Sequence, residues 1–232
     1  MKIQKIAIVG QGQFGKFMMT HLEKHFEIVP FSRVSNPETL RTCDAVVFAV
    51  PFSSLEAVII KVCAYIPPHT LILDVTSVKQ KPIAILKRYF KTQQIIGTHP
   101  IFGPQSGKIS IEGLPIVLCN ISAKTKTYTS IKRFLKHELK LRVIEQTPKE
   151  HDHQMANIQA LTHFIGRALI NLKIANYPTN TKSYEHLLEL CDILSKDSWE
   201  LFKTIQNTNA EAKKIRKRFV AELINLEKKL LN

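Results

Sequence analysis

A chain of 232 residues with 44% hydrophobic and 22% charged side chains can bury one sizeable core and a smaller one, which excludes a disordered or fibrous protein. Its net charge of +14 gathers in Lys124–Arg142 and Lys213–Arg218, but no helix-turn-helix, zinc-finger or RNA-binding signature accompanies it. No nucleic-acid partner is therefore expected, and the clusters read as solvated helix faces whose field draws in anionic ligands. Cys43, Cys63, Cys119 and Cys191 form no CxxC pair and no metal spacing, and no apolar run is long enough to cross a bilayer. Reduced thiols, no metal, no membrane and a cytoplasmic location are the expectations.

In chain order, the apolar strand Ile6–Val9 runs directly into Gly10-Gln11-Gly12-Gln13-Phe14-Gly15. The first glycine permits a tight turn, the second a close approach of backbone to a pyrophosphate, and the third close packing of helix on strand. The helix that follows, Phe14 to His25, would offer its N-terminal amides and dipole to the phosphates. Gly10, Gly12, Gln13, Phe14 and Gly15 are thus candidate cofactor ligands. A second strand, Glu27–Phe31, ends at Ser32-Arg33 where an acidic residue ordinarily meets the ribose. A guanidinium suits a 2′-phosphate, so NADP is expected over NAD.

Near-continuous apolar runs at Ala45–Val50, Leu71–Val75, Gln94–Gly97 and Pro115–Leu118 read as strands covered on both faces. Val50 and Pro51 end the third strand of the chain and count with the cofactor residues. Helices are expected at Leu55–Val62 and Pro82–Tyr89, and a last helix and strand at Tyr128–Leu139 and Arg142–Glu145. The alternation predicts an α/β fold, a doubly wound, Rossmann-type parallel sheet over residues 1–147.

Thr147-Pro148-Lys149-Glu150 has the form of a capping box with proline in the first turn. It opens a helix carrying Met155, Ile158, Leu161, Ile165, Ala168 and Leu172, and with it a smaller all-α substrate and dimerisation domain over 148–232. Asn176–Thr181 reads as a loop, and helices are expected at Tyr184–Gln206 and Ala210–Leu231. So little interior leaves apolar faces for a partner, and a homodimer is expected.

Asp74-Val75-Thr76-Ser77-Val78-Lys79, Gly97-Thr98-His99-Pro100-Ile101-Phe102-Gly103-Pro104, Glu150-His151-Asp152-His153-Gln154-Met155 and Ile158-Gln159-Ala160-Leu161-Thr162-His163-Phe164 follow one another behind the glycine loop. Together they resemble the prephenate and arogenate dehydrogenases of tyrosine biosynthesis. The resemblance covers the first domain and the first helix of the second. It implies an NAD(P)-dependent oxidative decarboxylation of prephenate or arogenate. His99 would be the catalytic base, Ser77 the hydroxyl that orients it, and Thr98, Gln159, His163 and Arg167 substrate contacts.

On the residues alone, a near-neutral imidazole on a loop beyond a strand's carboxyl end suits a general base. Ser77 reads equally as a helix cap and Lys79 as a surface cation. His163 falls on the apolar side of its helix, where a histidine is commonly a hydrogen-bonded core residue. Relatives carry an arginine that grips a substrate carboxylate, and Glu185 stands at its place here; Arg167 and Lys182 are candidate replacements. A carboxylate there would suit the amino group of arogenate. The alternatives are a catalytically impaired family member that binds a dinucleotide or a partner, and another NADP oxidoreductase of the β-hydroxyacid type, whose usual lysine is not evident.

Overall fold

Lys5–Val9 (β1), Glu27–Phe31 (β2), Ala45–Phe48 (β3), Leu71–Asp74 (β4), Gln94–Pro100 (β5), Pro115–Asn120 (β6) and Arg142–Glu145 (β7) form one sheet in the order β2-β1-β3-β4-β5-β6-β7. The computed structural model in which they are seen describes residues 3–231. Five of the six strand pairs are parallel, as the apolar runs imply. The exception is β5 with β6, which pair antiparallel, His99 opposite Val117 and Pro100 opposite Ile116.

This pairing corrects one expectation. Against β4 the register of β5 ends at Gly97, but β5 runs on through Thr98, His99 and Pro100 by pairing with β6. His99 therefore stands on a strand extension rather than on a loop. Two ladder neighbours would be needed to see that extension, and the apolar run of β5 stops before it.

The helices are Gln13–Leu22 (α1), Phe52–Val62 (α2), Gln80–Tyr89 (α3) and Thr125–Arg133 (α4). Helix α4 ends in a π turn, Phe134–Glu138, inside the segment expected as one regular helix. Even and odd strand positions feed two cores. Val46, Phe48, Ile72 and Ile95 pack with Leu55, Ile59, Ile83 and Leu86 of α2 and α3. Ile6, Ile8, Ala45, Val47 and Ile96 face the other way, toward Met18 and Leu22 of α1 and Tyr128 and Ile131 of α4.

The chain divides into two compact units between His151 and Asp152, one helical turn beyond the 147/148 boundary read from the sequence. The divide falls inside Pro148–Met155 (α5), whose start is the expected capping box: Thr147 N–H donates to Glu150 Oε2 at 2.8 Å and Glu150 N–H to Thr147 Oγ1 at 3.2 Å. In the second unit a π turn, Ala156–Leu161, leads into Thr162–Asn171 (α6), followed by Lys182–Ser195 (α7), Trp199–Thr208 (α8) and Ala212–Leu230 (α9). Gly166 lets α6 and α7 approach, since a Cβ there would lie 2.2 Å from Leu194 Cδ1.

The single helix expected over Tyr184–Gln206 is in fact two. Ser198 takes extended backbone and its hydroxyl accepts from Leu201 N–H at 3.1 Å, capping α8 and turning the chain. Apolar periodicity continues across this joint, so hydrophobic pattern alone does not reveal it.

Candidate active site

The glycine loop has the geometry its spacing implies. Gly10 holds φ +118°, and a Cβ there would lie 2.5 Å from the Ala49 carbonyl oxygen. A Cβ on Gly15 would lie 2.0 Å from the Gly10 carbonyl oxygen, so α1 could not pack this close with a larger residue. At Gly12, by contrast, a Cβ would meet nothing within 4 Å; its face is open. Gly12 is also the N-cap of α1 and supplies no side-chain acceptor, which leaves the first-turn amides for an incoming anion. Gln13 is exposed beside them. Phe14 turns its ring inward toward Phe17, at a centroid distance of 6.0 Å, so only its backbone is available to a nucleotide.

At the end of β2, Gly10 N–H donates to the Phe31 carbonyl at 3.0 Å and ties the two strand ends together. Ser32 N–H donates to Ser35 Oγ at 2.9 Å, and the two hydroxyls lie 3.3 Å apart. Arg33 is exposed and has no ion-pair partner among the described residues. Val50 is half-buried, its Cγ1 beside Gly10, and Pro51 starts α2. These residues fit a dinucleotide: an open backbone cradle, an uncapped helix end and an exposed guanidinium just beyond the end of β2.

Two strands along, the carboxyl edge carries the polar groups. Lys79, expected on the surface, is fully buried. Its ammonium donates to Asp74 Oδ2 at 2.6 Å and to the Thr98 carbonyl at 2.6 Å. A lysine survives burial only when such partners replace water, and a sequence cannot show that a turn folds it inward. Thr98 is buried too, its hydroxyl donating to the Asp74 carbonyl at 2.7 Å. It therefore braces β4 against β5 and has no hydroxyl proton left for a substrate.

Ser77 lies in the turn between β4 and α3, half-buried, its hydroxyl without a hydrogen bond among the described residues. It does not cap α3, whose N-cap is Lys79. His99 is 4% exposed. Its Nδ1 sits 2.8 Å from His151 Nε2, the two rings nearly edge to face. Burial foremost, then the His151 ring and the Lys79 charge, holds His99 well below the usual histidine range, so the imidazole is neutral at physiological pH. Sequence reasoning does not find His151 as the partner; the only signal is its place one residue after the capping glutamate, which fixes the helix start but not its direction.

The second unit holds another cluster. Gln159, His163 and Arg167 recur every four residues and share a helix face. His163 Nδ1 lies 3.9 Å from Asp197 Oδ2, and an Arg167 Nη2 proton goes to the Asp197 carbonyl. The Arg167 guanidinium also lies over the Phe202 ring, 5.9 Å from its centroid. Burial lowers the His163 pKa and raises that of Asp197, outweighing their attraction. Gln159 Oε1 and Arg167 Nε are buried without partners among the described residues. Sequence reasoning misses Asp197 because it lies in the joint that reads as helix.

The residues expected around the missing arginine do not join this cluster. Lys182 is exposed and pairs with Glu185 at 2.9 Å in the first turn of α7. Glu185 there complements the helix dipole and Lys182.

The family described as prephenate dehydrogenase, nucleotide-binding domain, matches residues 22–145, more than half of the chain. The chain belongs to the prephenate dehydrogenase family. A second family description, TYRAAT1-like C-terminal domain, matches residues 168–232. Among curated relatives, arogenate dehydrogenase 2, chloroplastic, of Arabidopsis thaliana is 32% identical over 222 residues, covering 85% of this chain and 62% of that protein. A probable arogenate/prephenate dehydrogenase of Methanocaldococcus jannaschii is 27% identical, covering 80% of this chain and 43% of that protein. The chain thus spans roughly two fifths to three fifths of the length of these relatives.

Family membership agrees with the solved folds. Prephenate dehydrogenase from A. aeolicus, solved with hydroxyphenyl propionate and NAD+, superposes with a TM-score of 0.78 at 17% identity, covering 100% of this chain and 92% of that one. Synechocystis arogenate dehydrogenase gives a TM-score of 0.71 at 17% identity, covering 98% of this chain and 93% of that one. Among the described residues no helix is long and apolar enough to cross a membrane.

Proposed function

We propose that this protein is an NADP-preferring dehydrogenase that oxidatively decarboxylates arogenate or prephenate. The observation that carries the reading is the pairing of His99 Nδ1 with His151 Nε2. It commits one ring nitrogen of a desolvated, neutral imidazole and leaves Nε2 as its only basic atom. With Nδ1–H donating to His151, His99 takes the proton of the ring hydroxyl at Nε2, and the resulting imidazolium keeps its second hydrogen bond. Ser77, one strand away with an uncommitted hydroxyl, orients that substrate oxygen.

Bound by Gly10, Gly12 and the amides of Gln13, Phe14 and Gly15, an oxidised nicotinamide nucleotide would supply the hydride acceptor. As hydride leaves the hydroxyl-bearing carbon, the carbon–carboxylate bond breaks, carbon dioxide departs and the ring becomes aromatic. The chain's own task is to hold the ring, exclude water and accept one proton. In the helical unit, Gln159, His163 and Arg167 are the proposed substrate contacts, with Arg167 supplying the cation that Lys182 does not. Arg33 favours the 2′-phosphate of NADP, with NAD the weaker cofactor.

Relatives named for arogenate make it the first substrate to test. Glu185 lends that choice no support, because its carboxylate is paired with Lys182 at the exposed helix start. We further place the protein in a reducing, cytoplasmic setting, in keeping with four cysteines of which none is in a disulfide. We assign it a homodimer through α9, whose Val220, Leu223, Ile224 and Leu226 are 39 to 49% exposed.

The test follows reduced-nicotinamide absorbance with arogenate and prephenate, each with NADP and NAD. Turnover with at least one pair is expected, and Arg33→Ser should lower the NADP-over-NAD preference about tenfold. Nucleotide binding without turnover in any pair would transfer the protein to the impaired, binding-only reading.

A further inference from the structure

The face of the sheet that carries α1 and α4 is left short of cover. Helix α1 connects β1 to the edge strand β2, and α4 connects β6 to the opposite edge strand β7. Neither crossover passes over β3 and β4, whose other face α2 and α3 cover. The consequence is an apolar recess of about 110 Å³ above the middle strands. Its floor is made of short side chains, Ala45, Val47 and Val75, and its walls of the rings of Phe17, Phe102 and Phe134.

The lining is almost wholly carbon. The hydroxyl of Thr98, which also borders it, is bonded to the Asp74 carbonyl. His21 stacks edge to face on Phe17 at 4.7 Å, and burial lowers its pKa, so it brings no charge at neutral pH. With the Thr98 hydroxyl committed and the neutral His21 ring as the one remaining side-chain hydrogen-bonding group in the lining, the recess holds water poorly, and apolar cavities of about this size in other proteins accept benzene or xenon. An α-helix, 10–12 Å across, cannot reach such a floor.

We propose that this recess, which shares the Phe14 ring with the glycine loop and Thr98 with the strand that carries His99, is a binding site for a small uncharged molecule of about one aromatic ring, distinct from the backbone cradle offered to the nucleotide. Selection is by shape and dryness alone. A carboxylate or ammonium on the ligand would enter without a partner and is excluded.

The experiment uses the full chain with toluene as probe and benzoate as the charged control, read by saturation-transfer NMR and thermal melting. Toluene is expected to show transfer and, at about ten times its Kd, to raise Tm by about 3–6 °C; benzoate should do neither. Saturating NADPH should leave the toluene signal in place. Val47→Phe and Leu73→Phe, which fill the recess from β3 and β4, should each abolish the response; if one fails to fold, the other carries the test. The proposal is overturned by absent transfer at millimolar toluene, by displacement with NADPH, or by a response that survives filling. A halved oligomeric mass in the filled variants would instead make the recess an interface between copies, and would equally overturn it.

Discussion

The two buried histidines show how neighbours decide what an imidazole can do. His99 and His163 are both desolvated and both held below the usual histidine range. The groups acting on His99 are another imidazole and a lysine, both of which disfavour a positive charge on it, so the ring remains a neutral base. His163 instead meets a carboxylate, Asp197, and a guanidinium, Arg167, and belongs to a cluster with charge of both signs. The first environment suits the proton transfer proposed for His99, and the second the substrate contact proposed for Arg167. Substitutions at the two should therefore fail differently, one in kcat and the other in KM.

The largest separation is expected from His99→Asn. The amide keeps a donor but no basic nitrogen, so kcat should fall by about 10²–10⁴ while nucleotide affinity measured by titration stays the same. An unchanged kcat would remove the imidazole from the reaction.

Lys79→Met sharpens the comparison from beneath the site. Removing one member of a fully buried pair leaves the Asp74 carboxylate without its cation, costing about 3–5 kcal/mol of stability, seen as a lowered denaturant midpoint. A loss of under about 1 kcal/mol would mean that water reaches Asp74.

For the cluster around the other histidine the readout moves to KM. Arg167→Met should raise the KM for the proposed cyclohexadienol substrate by roughly 10–100-fold, the worth of a hydrogen bond to a charged group, while the KM for nucleotide holds. A fall in kcat with unaltered KM would assign Arg167 to the His99 role and erase the distinction.

The smallest effect is in pH dependence. Because the folded His99 resists protonation, kcat/KM should be flat through neutral pH and fall only well below 6.5. His151→Asn removes a group that depresses His99, so the acid limb should move upward. Between the lowered folded value and 6.5 the unfolded chain binds more protons, so stability should decline as pH drops through that window, and His99→Asn should flatten the decline. An acid limb centred at 6.5 in the unsubstituted protein would mean that His99 is solvated.

Much of this architecture was legible from local rules. Three glycines in the register of a strand-turn-helix admit one backbone solution, which is why the cradle around Gly10, Gly12 and Gly15 could be read directly. The capping box at Thr147 likewise uses only side chains within one turn. The broken helix at Ser198 was less legible, since a cap competes with a continuing apolar stripe and the winner depends on what the stripe packs against.

By itself, then, the sequence determined the alternation of elements, the nucleotide loop and the residues from which a base could be drawn, because each depends on spacing within a few residues or one strand. Tertiary structure alone decided that β5 runs on against an antiparallel β6, that Lys79 is buried on Asp74 and Thr98, and that His99 meets His151. Those outcomes depend on strand pairing and desolvation across 5 to 52 residues of chain, where the electrostatic result is set by what excludes water and not by the order of residues.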